Sequence, residues 1–228
     1  MTHRTAQDAQ NHYVEKMGPT LGLQFAALWQ EVVYLHIKWS EFVALYGTNP
    51  RRIKLLNGAA SSFFSMLQGV LFEEILLHIA RLTDPPNTGK DKENLTIRNL
   101  PELVDHPETK EKLVTATEQA VKTSEFSRDW RNRHIAHRDL ALTMGQAARP
   151  LKNASREQVR ESLNTIANVL NIVEGHFTNS GTYFKIGRGL HGATSLLYVL
   201  DDALRAREKR EQRLLKGEFS EEDIQRPL

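Results

Sequence analysis

Apolar residues recur every three or four positions over long stretches of the chain, which is the spacing of one face of an α-helix. This pattern predicts two long helices, over residues 20–46 and 51–82, with turn residues between them at 47–50. The apolar stripe of the first helix consists of Leu21, Phe25, Leu28, Val32, Leu35, Trp39, Phe42 and Leu45. The second helix has a wider apolar face, and we therefore expect it to be the most buried helix of a bundle.

The second helix stops before Pro85 and Pro86, because proline cannot continue a helix and disfavours helix in the residue before it. A polar loop then runs to Asn94. Ser155, with Gln158 three residues later, forms a capping-box pattern that opens a helix. The remaining helices are predicted over residues 96–105, 108–122, 124–137, 155–177 and 190–215, with a loop at 138–153.

Strand signals are almost absent, with residues 182–186 the only short candidate. The polar loop at 83–94 is not a convincing domain boundary, because one bundle core can continue across it. We therefore predict one all-α domain over residues 20–215. A polar N-terminal segment at 1–19 precedes it, and a flexible tail at 216–228 follows it.

The composition is that of an ordinary globular protein: 228 residues, 40% hydrophobic and 25% charged. The absence of cysteine excludes thiolate zinc sites and cysteine nucleophiles, and it fits a reducing cytoplasm. Residues 1–16 lack the apolar core of a signal peptide, and no stretch approaches the roughly 20 apolar residues that span a bilayer. We expect a cytoplasmic protein without membrane contact. Because the formal net charge is only +2, nucleic-acid binding would depend on local charge.

One stretch concentrates the candidate chemistry: Trp130-Arg131-Asn132-Arg133-His134-Ile135-Ala136-His137-Arg138-Asp139. Histidine, with an unperturbed pKa of about 6.5, can exchange protons near neutrality. Arginine stays charged and offers a planar fork to a phosphate. Together they suffice for phosphodiester chemistry without a metal, so no metal and no cofactor is expected.

Two overlapping Arg/His pairs occur in this stretch, Arg128 with His134 and Arg131 with His137. Their spacing alone does not choose between them, since such pairs also arise by chance. A structural interpretation is open as well. Phe126, Trp130 and both histidines fall within one arc of the predicted helix, so the histidines could simply lie against the core. The arginines would then be surface charges near a helix end, where cations are favoured.

The stretch resembles the signature of the HEPN superfamily (higher eukaryotes and prokaryotes nucleotide-binding), which is an arginine, a polar residue and a histidine four to six positions later. The closest similarity is to the abortive-infection U-like group. Its members carry blocks like Ala80-Arg81-Leu82-Thr83-Asp84-Pro85-Pro86, then Asn94-Leu95-Thr96-Ile97, and later Ile135-Ala136-His137-Arg138-Asp139. The resemblance covers about residues 20–175.

This resemblance implies a HEPN-like antiparallel bundle with long helices, here with an extra C-terminal helix. It also implies a homodimer with the motif at the dimer cleft. Many relatives are metal-independent endoribonucleases that act as toxins or antiviral effectors, whereas others only bind RNA, a nucleotide or a protein such as an antitoxin. By position, the catalytic set is Arg131, Asn132 and His137. Possible secondary participants are His134, Arg133 and Asp84.

Helix geometry adds a condition to this catalytic set. On an ideal α-helix, Arg131 and His137 lie about 120° apart and about 9 Å along the axis. One chain could not easily bring both to one phosphate unless the helix breaks between them. In a two-fold dimer, each edge of the cleft can combine residues of both chains. We therefore predict that activity requires a homodimer.

Three other features have simpler interpretations. Residues 187–192, Gly-Arg-Gly-Leu-His-Gly, match the spacing of a dinucleotide-binding loop but lack the surrounding βαβ unit, which favours a turn. Glu74 and His78 share a helix face and are interpreted as a polar seam rather than a metal site. The charged run 205–216 holds six basic and two acidic residues. It is typical of a solvated helix face, with an RNA-contacting or partner-docking arm as the alternative.

Overall fold

The fold is all-α, as predicted. The computed structural model describes residues 5–47, 49–87, 89, 92–137, 139–145, 149–184, 191–218 and 220–224. The α-helices in these ranges are α1 (Ala6–Met17), α2 (Pro19–Tyr46), α3 (Pro50–Leu82), α4 (Pro107–Thr123), α5 (Glu125–Trp130), α6 (Leu140–Thr143), α7 (Arg156–Thr178), α8 (Ala193–Lys216) and α9 (Glu221–Ile224). A 3₁₀-helix covers Ile97–Leu103 and a π-helix covers Arg131–Ile135.

The chain divides into two compact units. The first comprises residues 1–38 and 72–186, and the second comprises 39–71 and 187–228. Helices α2 and α3 each contribute residues to both units. The predicted domain boundaries stay a prediction.

Helix α1 lies in the segment that we predicted only as polar. Thr5 caps it, because the Thr5 hydroxyl accepts from the Asp8 N–H and the Asp8 carboxylate accepts from the Thr5 N–H. Tyr13 is buried, donates from its hydroxyl to Glu174 Oε1 at 2.8 Å and packs edge-on against Phe25. These contacts attach α1 to the first unit.

The core of the first unit lies where α4 packs along α7, beside the 3₁₀-helix. Ser155 and Gln158 form the predicted capping box at the start of α7. The apolar stripe of α2 is buried as predicted, except that Trp39 is only half-buried. The largest fully buried side chains in the core of the first unit are Phe25, Leu28, Leu35, Ile75, Leu76, Ile79, Ile97, Leu100, Leu113, Leu163 and Ile166.

The second unit has a smaller core of Leu45, Leu56, Phe64, Ala193 and Leu197. The carboxylate of Glu41 accepts a hydrogen bond from the Ala193 N–H at the start of α8. An unpaired N–H at this helix end is thereby satisfied by a side chain of α2. Residues 185–190, which include most of the glycine-rich hexapeptide, lie outside the described residues.

The expectation that the second long helix is the most buried one is wrong for its middle. Ile75, Leu76 and Ile79 near the end of α3 are fully buried, but Phe63, Met66 and Val70 are each more than half exposed. These three side chains belong to the second unit, whose small core does not cover them. The α3 backbone also leaves the helical conformation at Ala60, which marks a kink.

We predicted no membrane-spanning segment, yet α3 is long and apolar enough to cross a membrane by length and composition. Its most apolar 18-residue window has a mean hydropathy of 1.4 and is 33% buried. A core helix of a water-soluble protein meets the same criteria, so this property of one helix assigns no membrane.

Three smaller differences concern the connections. Residues 182–184 do not form a strand, and 185–186 lie outside the described residues. The predicted loop at 138–153 contains the short helix α6, capped by the side chain of Asp139. The predicted tail contains α9, where Asp223 pairs with Arg213 of α8.

Candidate functional site

The helix that carries the Arg/His motif changes its hydrogen-bonding pattern inside the motif. α5 ends at Trp130, and Arg131–Ile135 form a π-helix in which the Ala136 N–H donates to the Arg131 carbonyl at 2.8 Å. The helix then stops, with the Asp139 N–H bonded to the Arg133 carbonyl at 3.1 Å. Short π-turns inside helices are frequent at functional sites. The ideal-helix separation of Arg131 and His137 therefore does not apply here.

Arg131 is held by two neighbours. Its Nη1 donates to Asp84 Oδ2, and its Nε donates to Asn132 Oδ1 at 3.0 Å. The Arg131 side chain is 23% exposed and that of Asp84 is 16% exposed, so this ion pair is shielded from solvent on most sides. In the described part of the chain, Arg131 Nη2 forms no hydrogen bond.

Arg128 fixes the same carboxylate from another side. Its Nη2 donates to the Thr83 carbonyl at 2.9 Å, and its Nε lies 3.7 Å from Asp84 Oδ1. Asp84 thus faces two arginines of the motif segment. Arg128 thus hydrogen-bonds to Thr83 and places its charge beside the Asp84 carboxylate, and these contacts join the motif segment to the end of α3.

The two sequence blocks before the motif build the loop that positions Asp84. The Thr96 hydroxyl lies 2.9 Å from both the Leu82 and the Asp84 carbonyls. The Asn94 amide donates to the Pro85 carbonyl at 2.8 Å. These bonds join the end of α3 to the residues before the 3₁₀-helix. The two sequence blocks, which are separated along the chain, therefore lie together in one loop structure. Thr96 and Asn94 are positioning residues, whereas in the sequence they stood out only as members of a block shared with the family.

His137 and His134 lie in different surroundings. His137 is exposed and, among the described residues, forms no hydrogen bond or ion pair. His134 is partly covered: its ring packs edge-on against Trp130, with 5.3 Å between ring centroids, and its Nε2 lies 3.4 Å from Glu73 Oε1. Trp130 in turn donates to the Lys152 carbonyl at 2.8 Å. The interpretation in which both histidines are core residues therefore holds in part for His134 and does not hold for His137.

Arg133 is surrounded by ion-pair and hydrogen-bond partners from the protein itself. It lies 3.6 Å from Asp129 and 3.4 Å from Asp139, and its Nη2 donates to the Arg149 carbonyl at 2.6 Å. Burial alone would raise the pKa of Asp129, but the Lys152 backbone N–H and the charges of Arg149 and Arg133 lower it overall. The Leu142 backbone N–H lowers the pKa of Asp139, helped by Arg133. Arg138 lies outside the described residues.

A cavity of about 230 Å³ borders Asp84 on the side of α2 and α3. Its wall includes His78, which is fully buried with Nδ1 3.2 Å from Lys38 Nζ and Nε2 2.8 Å from Glu31 Oε2. Desolvation and the charge of Lys38 lower the pKa of His78 to about 4, so the ring is neutral near pH 7. Lys38 also pairs with Glu74 at 2.7 Å. The structure thus places Glu74 and His78 in a polar seam between α2 and α3.

The described residues contain no group of three or more histidine, aspartate or glutamate side chains arranged to hold a metal ion. The predicted site offers the guanidinium of Arg131, the amide of Asn132 and the imidazole of His137. Asn132 is exposed beside Arg131. This set offers hydrogen-bond donors, one fixed positive charge and a group that can move a proton.

Comparison with protein families identifies the family of the chain. The family described as AbiU2, a HEPN family, matches residues 19–193. The chain belongs to the HEPN AbiU2 family. The resemblance to the abortive-infection U-like group is thereby confirmed, and the match extends beyond the expected residues 20–175 to the start of α8. Neither the curated proteins nor the solved structures contain a significant match to the chain.

The structure brings together some of the predicted site residues and separates others. Arg131, Asn132 and Asp84 are in direct contact, with His137 six positions further along in the bend after the π-helix. Arg133 instead contacts acidic residues, and His134 packs against Trp130. Arg128, the arginine of the second possible pair, is a close partner of Asp84 that we had not included in the site.

Proposed function

We propose that this HEPN AbiU2 protein is a metal-independent endoribonuclease of the toxin or antiviral abortive-infection type, active in the cytoplasm. The observation that carries the proposal is that the two possible Arg/His pairs differ in how far neighbouring residues of the fold occupy them. Among the described residues, His137 is exposed and Arg131 Nη2 forms no hydrogen bond, whereas Arg128 and His134, the other possible pair, contact neighbouring residues of the fold. A reactive pair must be able to reach its substrate.

The proposed reaction is transesterification of RNA. The ribose 2′-oxygen attacks the adjacent phosphorus, the bond from phosphorus to the 5′-oxygen breaks, and a 2′,3′-cyclic phosphate and a free 5′-hydroxyl result. One proton leaves the 2′-hydroxyl and one is added to the 5′-oxygen. His137 performs one of these transfers. Arg131 stabilises the negative charge on the phosphate, and Asn132 positions a phosphate oxygen or orients His137.

The second proton transfer leads us to propose a homodimer. A two-fold dimer supplies a second His137, so that one histidine accepts a proton while the other donates one. Phe63, Met66 and Val70 follow one another at helical spacing along α3 and are each more than half exposed, and an exposed apolar helix face of this kind supports self-association.

A non-catalytic module is the second candidate. The observation that favours it is the neutralisation of the motif arginines: Asp84 faces Arg128 and Arg131, while Asp129 and Asp139 face Arg133. A site whose cations are already paired binds phosphate less strongly. Such a module would bind RNA, a nucleotide or a protein partner such as an antitoxin without cleaving RNA.

Two experiments separate these candidates. Purified protein is incubated with a single-stranded RNA and with DNA of the same sequence, both in EDTA. Cleavage of the RNA alone, abolished in Arg131→Ala, supports the nuclease, since the reaction needs the 2′-hydroxyl. Expression of the native and His137→Ala proteins in a host then tests toxicity. Equal growth, together with RNA binding and no cleavage, supports the module instead.

A further inference from the structure

The second unit contains a groove of about 750 Å³ between the beginning of α3 and the middle of α8. Its wall is cationic, with five basic side chains, Arg51, Arg52, Lys54, Arg205 and Arg207. Among the described residues, two acidic side chains, Asp201 and Glu208, line it. The groove is therefore more positive than the protein as a whole, whose formal net charge is +2.

Much of this positive charge is not cancelled within the fold. Arg51 and Lys54 are exposed and form no ion pair with a described residue. Arg52 donates to the Ala44 carbonyl at 2.8 Å, a neutral acceptor that fixes the side chain and leaves its charge. Arg205, by contrast, pairs with Asp201 at 2.8 Å. A polyanion lying in the groove would therefore meet its strongest attraction on the α3 side.

The groove also presents an aromatic surface. Tyr198 of α8 is 70% exposed, next to the apolar side chains of Leu55, Leu197 and Leu204 that line the groove. An exposed tyrosine beside arginine and lysine is the combination with which proteins bind single-stranded nucleic acid, because a base stacks on the ring while the cations contact phosphates. An acidic peptide would use the cations but would have no need of the ring.

We propose that this groove binds single-stranded RNA, with Arg51 and Lys54 on consecutive phosphates and one base stacked on Tyr198. The proposal rests on the proposed function in taking RNA as the substrate, and it gives the chain a contact surface distinct from Arg131 and His137. The volume of the groove lies within the roughly 300–1,000 Å³ typical of ligand pockets, which suits a short segment of the strand. The charged run of α8 is then a binding surface in its first half.

The test measures binding separately from cleavage. Every variant is made in the His137→Ala background, and its affinity for a fluorescent single-stranded RNA is measured by anisotropy in EDTA at several salt concentrations. We expect Arg51→Ala/Lys54→Ala to weaken binding about tenfold and to reduce the slope of log affinity against log salt by about 1.4. Tyr198→Ala should weaken binding about tenfold, whereas Tyr198→Phe, which keeps the stacking ring, should bind as the parent does.

The matched control is Lys16→Ala/Lys122→Ala, which removes two exposed cations from the first unit. An equal loss of affinity in the control pair, or no loss in the groove variants, overturns the proposal. Binding of anionic lipid vesicles without binding of RNA overturns it too. If the native protein cleaves RNA but the groove variants keep the affinity of their parent, the groove proposal is wrong and the proposed nuclease stands. If the groove variants lose affinity but the native protein does not cleave RNA, the proposed nuclease is wrong and the groove proposal stands.

Discussion

Arg131 donates a hydrogen bond from Nη1 to the carboxylate of Asp84, which lies 47 positions earlier in the chain. This pair joins the end of α3 to the π-helix of the motif. It orients the guanidinium of Arg131, and it also places a negative charge beside the group that is proposed to receive a phosphate. We therefore expect Asp84 both to position Arg131 and to compete electrostatically with a bound phosphate.

Substitutions of Asp84 separate these two roles. Asp84→Asn keeps an acceptor oxygen for Arg131 but removes the competing charge, and we expect it to bind RNA about two- to fivefold more tightly. Asp84→Ala removes the same charge and the acceptor too, so RNA binding should tighten by a similar factor, while Arg131 loses its orientation and kcat for RNA cleavage should fall about tenfold. Kinetics on a short RNA measure both values. Identical behaviour of the two variants would contradict the positioning role.

Arg128 should matter for stability more than for chemistry. Arg128→Ala removes the hydrogen bond to the Thr83 carbonyl and one of the two cations that face Asp84. We expect the free energy of unfolding to fall by about 1–3 kcal/mol, measured by urea denaturation. The control is Arg160→Ala on the exposed face of α7, which should change it by less than about 0.5 kcal/mol. Equal effects of the two substitutions would remove the anchoring role of Arg128.

The buried His78 predicts a loss of stability in acid. The unfolded chain protonates this histidine below about pH 6.5, whereas in the folded protein the pKa of His78 is lowered to about 4. Between these values the unfolded state binds more protons, so the free energy of unfolding falls as the pH falls. From pH 7.5 to pH 5 this contribution should be about 2 kcal/mol.

His78→Gln is the matched variant, because glutamine can still hydrogen-bond with Lys38 and Glu31 but does not titrate. Urea denaturation of both proteins at the two pH values isolates the His78 contribution, since the other ionisable groups are common to both. A smaller loss of stability in the variant is the expected result. The same pH dependence in both proteins would show that His78 is not the group responsible.

The exposed apolar residues of α3 predict a concentration-dependent dimer. Phe63, Met66 and Val70 are each more than half exposed. Met66→Glu places a charge among them and should shift the protein toward the monomer in sedimentation-equilibrium experiments, with RNA cleavage lost in proportion. Val114→Glu, at an exposed apolar position of α4, is the control and should leave the mass unchanged. A fully active monomer would contradict the requirement for two copies.

Features that depend on local sequence could be predicted. The spacing of apolar residues located the long helices to within a few residues, and the Ser155–Gln158 capping box is formed as the pattern indicated. Thr5 and Asp8 offered a similar signal for α1 that we did not use. Proline chemistry correctly ended α3 before residue 85.

Features that depend on distant partners could not be predicted. No rule of spacing relates Asp84 to Arg131, because the folded loop around Thr96 decides their contact. The π-helix at the motif depends on backbone hydrogen bonds that have no sequence pattern of their own. Phe63 is exposed because the small core of the second unit does not cover this part of α3. The periodicity of apolar residues does not indicate how much of a helix its neighbours will cover.

The rate of RNA cleavage by the His137→Ala protein tests the account most directly. Native, His137→Ala and His191→Ala proteins are compared on one single-stranded RNA in EDTA; His191 is an exposed histidine outside the motif. We expect His137→Ala to be at least about 100-fold slower. The His191→Ala control should stay within about twofold of the native rate, since a surface residue outside the site contributes little to chemistry. Native products should end in a 2′,3′-cyclic phosphate. Cleavage by His137→Ala at the native rate would contradict the assignment of the reaction to this motif.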